Sequence, residues 1–200
     1  GLPAGATDTL EWARQGSSIL MVGTIEPRKG HHQVLAAFEE LWANPNADED
    51  FRLVVVGRPG WKTETLQHRL RNHPMAGAHV RWIEDANDEY LEQLYESCWG
   101  VVLASHGEGF GLPVLEAAAR SKPLLLRDLP VFREVAPPGA VFFLDDTPAG
   151  LAAIIRQWRR HGKPVQINPG DLCWETAAAD LSSKLDTRKT PPLWGLSRSE

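Results

Sequence analysis

Two hundred residues with 42% hydrophobic content suffice for one domain with a sizeable core, and this balance excludes a disordered or fibrous chain. With 21 basic against 26 acidic residues the net charge is −5, so the overall field repels a nucleic-acid backbone and any anionic ligand requires a local site. Cys98 and Cys173 stand in no metal or redox spacing, which fits a reducing compartment or two buried thiols. No apolar run approaches the roughly 20 residues that cross a bilayer. The opening GLPAGATDTLEW reads as a chain entered in mid-protein, with residues 1–17 as a linker leading into the first strand.

From residue 18 onward, short apolar runs alternate with helix-period segments. The strand-like runs are 18–23 (SILMVG), 51–57 (FRLVVVG), 80–84, 100–104 (GVVLA), 123–127 (PLLLR) and 140–144 (AVFFL). Helical spacing marks 31–42, 63–71, 88–97, 112–120, a short turn at 130–135, and 148–161. Continuous Val, Ile and Leu in the strands implies burial on both faces, so the pattern predicts a Rossmann-like, doubly wound α/β domain of about six parallel strands over residues 18–162. In such sheets ligands lie outside the carboxyl ends of the strands, which predicts one functional rim from the loops after residues 23, 57, 84, 104 and 127. Residues 163–185 read as a connection and last helix, and 186–200 as a frayed polar tail.

The stretch SHGEGFGLPVLEAAARSKP, residues 105–123, carries the strongest functional signal. It follows the fourth strand and opens a helix, so the amides of Gly109, Phe110, Gly111 and Leu112 fall at a helix N-terminus, where small residues let a phosphate approach. Pro113 costs nothing in that first turn. Glu116, a turn further on, can accept hydrogen bonds from vicinal hydroxyls such as those of a ribose. Glu108, before the helix, can face the reacting end of the ligand. The plain alternative makes Glu108 a loop carboxylate favoured by the positive helix end and Glu116 a solvated helix residue.

A second cluster, GTIEPRKGH, spans Gly23 and Thr24 to His31. It holds Arg28 and Lys29 on a proline-stiffened turn, where two cations facing a helix N-terminus would clamp a diphosphate. Either cation alone is better read as part of an ordinary basic loop; their joint occurrence with EGFG at the same sheet edge favours the clamp. No G-x-G-x-x-G follows the first strand, which argues against dinucleotide-dependent redox chemistry.

The runs VGTIEPRKG, VVVGRPGW, YLEQLYESCWGVVLAS, EGFGLPVLEAAARSKP and DLPVFREVAPPGAVFF, in that order, resemble the carboxyl-terminal, donor-binding domain of retaining glycosyltransferases of family 4, which have the GT-B architecture. The resemblance covers about residues 18–160, and the E-x7-E element Glu108–Glu116 is its most specific feature. It implies a nucleotide-diphosphate sugar as donor substrate, with no cofactor and no metal required. Lys29 and Arg28 would contact the diphosphate, Glu116 the ribose and Glu108 the sugar, with Gly109, Phe110, Gly111 and Leu112 donating amides. The loops bearing Arg58 and Glu84 would hold the nucleobase, and Trp61 fits either base stacking or packing. His106 fits either a phosphate contact or a polar rim position.

Family members often carry arginine where this chain has Thr24. A glycine is usual both before the fifth strand, where Ser121 and Lys122 stand, and at Glu84. The triplet Asp48, Glu49 and Asp50 mimics a metal-holding DxD but falls in a polar loop at the opposite edge, and it reads as solvated. The VGTIEPRKG form resembles that of bacterial polysaccharide mannosyl- or rhamnosyltransferases. This implies a GDP-mannose-type donor, a glycan or lipid-linked acceptor, a separate amino-terminal acceptor domain, and a cytoplasmic enzyme working at the inner membrane face. An epimerase or phosphorylase of the same architecture, or a non-catalytic sugar-nucleotide-binding module, is the competing expectation.

Overall fold

The computed structural model describes residues 1–45, 50–144 and 147–165. Six strands, β1 (Ser17–Val22), β2 (Phe51–Val56), β3 (Val80–Ile83), β4 (Gly100–Leu103), β5 (Leu124–Arg127) and β6 (Val141–Phe143), form one sheet in the order β3-β2-β1-β4-β5-β6. Every pairing is parallel. Seven α-helices occur among the described residues: α1 (Ala6–Gln15), α2 (His31–Ala43), α3 (Glu64–Arg71), α4 (Asp88–Ser97), α5 (Leu112–Ala119), α6 (Pro130–Val135) and α7 (Pro148–His161). The doubly wound fold and all six strands expected from the sequence are present, with ends differing by a residue or two.

Side-chain alternation along each strand splits the core into two layers. Ile19, Met21, Leu53, Val55, Val102 and Leu125 join Leu35 and Phe38 of α2, Leu66 of α3, and Leu151, Ile155 and Trp158 of α7 in one cluster. The intervening residues Leu20, Val54, Val101, Leu103, Leu124 and Leu126 are also buried, on the opposite face. Burying both faces is why β4 and β5 are apolar at nearly every position and lie wholly inside. β3, at the sheet edge, is less covered and carries Arg81 and Trp82.

The first 17 residues depart from expectation. In place of a linker, Ala6–Gln15 is a helix that packs against α4 and β1. Ala6, Thr9, Leu10 and Ala13 are buried at helical spacing, and the indole of Trp12 donates to the carbonyl of Ala78 at 3.0 Å. Residues 1–166 therefore form one compact unit that includes this helix. The helix expected within 163–185 and the tail at 186–200 fall, from residue 166 on, outside the described residues.

The sheet order places the switch point. From β1 the chain winds one way through β2 and β3, then returns to β4 on the other side of β1. The loops leaving β1 and β4 thus come together at the carboxyl ends of the strands, the place where a sheet of this order receives its ligand.

Candidate functional site

The loop after β1 is anchored before it turns. Gly23 donates to the carbonyl of Val56 at 2.9 Å, Ile25 donates to that of Arg58 at 2.9 Å, and the Ile25 side chain is fully buried. A 3-10 turn, Pro27–Lys29, follows and ends at Gly30 with φ 75°. A Cβ at Gly30 would lie 2.2 Å from the carbonyl oxygen of Ala104, so only glycine lets this turn press against the end of β4. The Lys29 stem then runs alongside Gly23.

The loop after β4 meets that turn directly. The amide of His106 donates to the carbonyl of Arg28 at 2.7 Å, and Arg28 Nη1 donates to that of Gly107 at 3.2 Å. Lys29 Nζ donates to Glu108 Oε1 at 2.6 Å, and Ser105 Oγ donates to the same oxygen at 2.6 Å. Arg28 Nη1 stands 3.8 Å from Glu108 Oε2 and its Nε donates to Glu26 at 2.9 Å. Burial alone would push the Glu108 carboxyl up; the hydrogen bonds from Lys29 and Ser105 and the charges of Lys29 and Arg28 outweigh it and hold the group below the usual carboxylate range. The two clusters read from the sequence are thus one site, but its leading cation and leading carboxylate face each other rather than standing apart.

Helix α5 opens at Gly111, which has φ 76° and no side-chain cap, with Pro113 in its first turn. A Cβ at Gly111 would come within 3.3 Å of Val135 and 3.4 Å of Phe132. Phe110 and Leu112 flank it on the surface, and Gly109 is exposed beside them. One turn in, Glu116 is half-buried, and its Oε2 accepts the hydroxyl of Tyr95 at 2.8 Å.

The remaining rim residues sort differently. Arg58 pairs with Asp85 at 2.8 Å with both side chains largely in solvent, tying together the loops after β2 and β3. Glu84 is turned toward α3, where Arg71 holds it through two hydrogen bonds of 2.8 and 3.0 Å and also lies over Trp82. The structure therefore places Glu84 in a surface ion pair, away from Lys29 and Glu108. Thr24 and His106 are exposed at the rim, and so is Trp61 with Lys62 over its ring. Asp50 pairs with Arg52 at 2.5 Å, while Asp48 and Glu49 lie outside the described residues. Among the described residues no group of three or more His, Cys, Asp or Glu could hold a metal ion.

Three residues that sequence reasoning passed over belong to the site. Ser105 and Tyr95 hold the two glutamates. His31, the first residue of α2, is 3% exposed, and its ring nitrogens meet no partner within hydrogen-bond geometry. Burial and the neighbouring Lys29 charge lower its pKa to about 4, and the backbone of Gly23 offsets only part of this, so the ring is neutral near pH 7. Nothing in their spacing distinguished Tyr95 and His31 from core residues. A cavity of about 340 Å³ opens near the basic turn, lined by Glu26, Pro27, His32, Lys62, Thr63 and Arg69, yet neither Lys29 nor Glu108 lines it.

A basic turn and a glycine-flanked carboxylate loop meet at the switch point of a doubly wound parallel sheet, which defines an α/β domain with its polar centre at the carboxyl ends of β1 and β4. The family model for "Glycosyl transferases group 1" matches residues 9–165, and the chain belongs to this family. It is 39% identical over 189 residues to the serotype-specific mannosyltransferase WbdA of Escherichia coli, covering 92% of this chain and 23% of that protein. It is 27% identical over 151 residues to the O-antigen chain mannosyltransferase RfbU of Salmonella typhimurium, covering 75% of this chain and 40% of the relative. Among solved structures, Anabaena HepE in complex with UDP and glucose superposes with a TM-score of 0.70 at 16% identity, over 94% of this chain and 53% of that one. The C-terminal domain of the group 1 glycosyl transferase LpcC from Francisella tularensis gives 0.57 at 24% identity, over 70% and 74% of the two chains. The fold is that of the carboxyl-terminal half of a GT-B glycosyltransferase, and the chain spans about a quarter of the length of its WbdA relatives.

Proposed function

We propose that this domain binds the donor of a hexosyltransferase, a nucleoside-diphosphate sugar of the GDP-mannose type, and that the whole protein transfers the sugar with retention of configuration to a glycan or lipid-linked acceptor. The observation that carries this reading is the meeting of Lys29 with Glu108 at the carboxyl ends of β1 and β4, with the amino end of α5 beside it. The mannosyltransferase relatives suggest the sugar, and the O-antigen chain for which RfbU is named suggests the acceptor class.

Breaking a sugar–diphosphate bond builds negative charge on the leaving group and positive character on the sugar. Lys29, Arg28 and the amides of Gly109, Phe110, Gly111 and Leu112 would take up the first, as fixed charges and dipoles that need no reorganisation during the reaction. The proposal therefore requires no metal. Glu108 would position the sugar and support its developing charge, and Glu116 would bind the ribose. Arg58, on the exposed loop after β2, would reach toward the base; Glu84, held by Arg71, is left out of that role. A lipid-linked acceptor would bring the whole cytoplasmic enzyme to the inner membrane face as a peripheral protein. Among the described residues no helix is long and apolar enough to cross a membrane.

Water exclusion and an acceptor surface would come from an amino-terminal domain, so the present chain is expected to bind nucleotide and to transfer sugar poorly. Calorimetric titration with GDP, UDP and dTDP sugars tests this. Binding strongest for the guanine nucleotide supports the full reading, whereas no heat from any of them at millimolar concentration overturns it.

A further inference from the structure

Glu108 and Glu116 are held in opposite ways. Glu108 is held by Lys29 and Arg28 together with the Ser105 hydroxyl, whereas Tyr95, a neutral donor, is the one side chain among the described residues that donates to the Glu116 carboxylate. Arg120 is close by but spends its guanidinium elsewhere. It donates to the backbone carbonyl of Glu116 at 3.0 Å, pairs with Glu92 at 3.0 Å, and lies over the Tyr95 ring.

Resting on the assignment of Glu116 to the ribose, we propose that Tyr95 is a positioning residue of the donor site, whose buried hydroxyl fixes Glu116 so that the carboxylate presents its free lone pairs to a pair of vicinal hydroxyls. Tyr95 is 1% exposed on α4, and a buried phenol needs an acceptor; Glu116 Oε2 at 2.8 Å is that acceptor. A neutral donor suits this purpose. A carboxylate has about four acceptor positions, and the phenol occupies one without neutralising the charge, leaving a strong acceptor for hydroxyl donors. A lysine or arginine in the same place would compete with the ligand for the charge, as Lys29 does at Glu108. Burial, together with the charge and hydrogen bond of Glu116, raises the Tyr95 pKa, so the phenol remains the donor throughout the working range.

The test compares GDP with 2′,3′-dideoxy-GDP on the wild-type chain and on Tyr95→Phe. Wild type is expected to prefer GDP, and Tyr95→Phe to lose roughly tenfold in GDP affinity while binding the dideoxy compound unchanged, the scale of one hydrogen bond. A variant that keeps the wild-type preference overturns the inference and leaves the donor-site assignment standing. A wild type that binds both equally removes the ribose role of Glu116 and the inference with it. A wild type that binds neither removes the proposed function itself.

Should Tyr95→Phe fold poorly, fluorine labelling serves, because the chain has only two tyrosines, Tyr90 and Tyr95. With 3-fluorotyrosine in a Tyr90→Phe background, the Tyr95 resonance is expected to move with GDP and to stay in place with inorganic pyrophosphate. Equal movement with both would show that the hydroxyl senses helix packing rather than the ribose, and would overturn the inference.

Discussion

Replacing Glu108 by Gln should tighten the binding of a bare nucleoside diphosphate. In the structure Lys29 Nζ sits 2.6 Å from Glu108 Oε1, and the side chains are only 14% and 10% exposed. An incoming diphosphate must share that cation and tolerate the carboxylate. Two like charges about 6 Å apart at an effective dielectric near 20 repel by about 3 kcal/mol. Solvent at the rim reduces this to about 1 to 2 kcal/mol, or roughly five- to thirtyfold in affinity. Glutamine keeps the volume and the hydrogen bond to Ser105 while removing the charge. The ligand should be GDP rather than a sugar nucleotide, because any contact between Glu108 and the sugar would then be absent from the comparison. Calorimetry at fixed ionic strength near 0.1 M reads the difference, with Lys29→Ala as the opposite control, expected to weaken GDP by at least as much. Equal or weaker binding of GDP by Glu108→Gln would refute the competition between carboxylate and phosphate for Lys29.

Gly30→Ala should cost about 3 kcal/mol or more, combining a left-handed backbone with a Cβ 2.2 Å from the Ala104 carbonyl, whereas Gly111→Ala, whose nearest contact is a side chain at 3.3 Å, should cost less. Urea denaturation giving the reverse order would contradict the close approach of the two loops. Ser121 has φ 52°, a left-handed conformation that glycine adopts without penalty, so Ser121→Gly should stabilise by about 1 kcal/mol and raise the midpoint of thermal unfolding by about 2 to 4 °C; a lowered midpoint would count against strain there. His31 has a folded pKa of about 4 against an ordinary 6.5, so the unfolded chain binds the extra proton between these values. Its contribution is fully present above pH 6.5 and is lost as pH falls toward 4, about 3 kcal/mol in all. His31→Phe should flatten that part of the stability profile, and an unchanged slope between pH 6.5 and 4 would show that the ring is not buried neutral.

The first helix shows where a pattern is too quiet to hear. Its buried positions are Ala6, Thr9, Leu10, Trp12 and Ala13; four of them fall at i, i+3, i+4 and i+7, but three of those four are small or polar and carry little hydropathy, and Trp12 stands off that spacing. What makes them a helix is the surface they cover on α4 and β1, and that surface is assembled from residues far along the chain. Glu84 shows a related limit. Its place after β3 put it on the rim, and Arg71, on the neighbouring α3, gives its carboxylate a two-pronged partner that no spacing along the chain announces.

The amino-acid order determined the strands, the parallel sheet and the rim. Unbroken Val, Ile and Leu runs can be buried on both faces only between two layers of helices, and glycine at positions 30 and 111 marks the turns that lead into α2 and α5. Which carboxylate meets which donor was decided only by the folded chain. Lys29 reaches Glu108 because β1 and β4 are neighbours at the switch point, and Tyr95 reaches Glu116 because α4 and α5 come together in space. Hydrogen bonds act over about 3 Å, and no spacing along the chain encodes a distance that the sheet order creates.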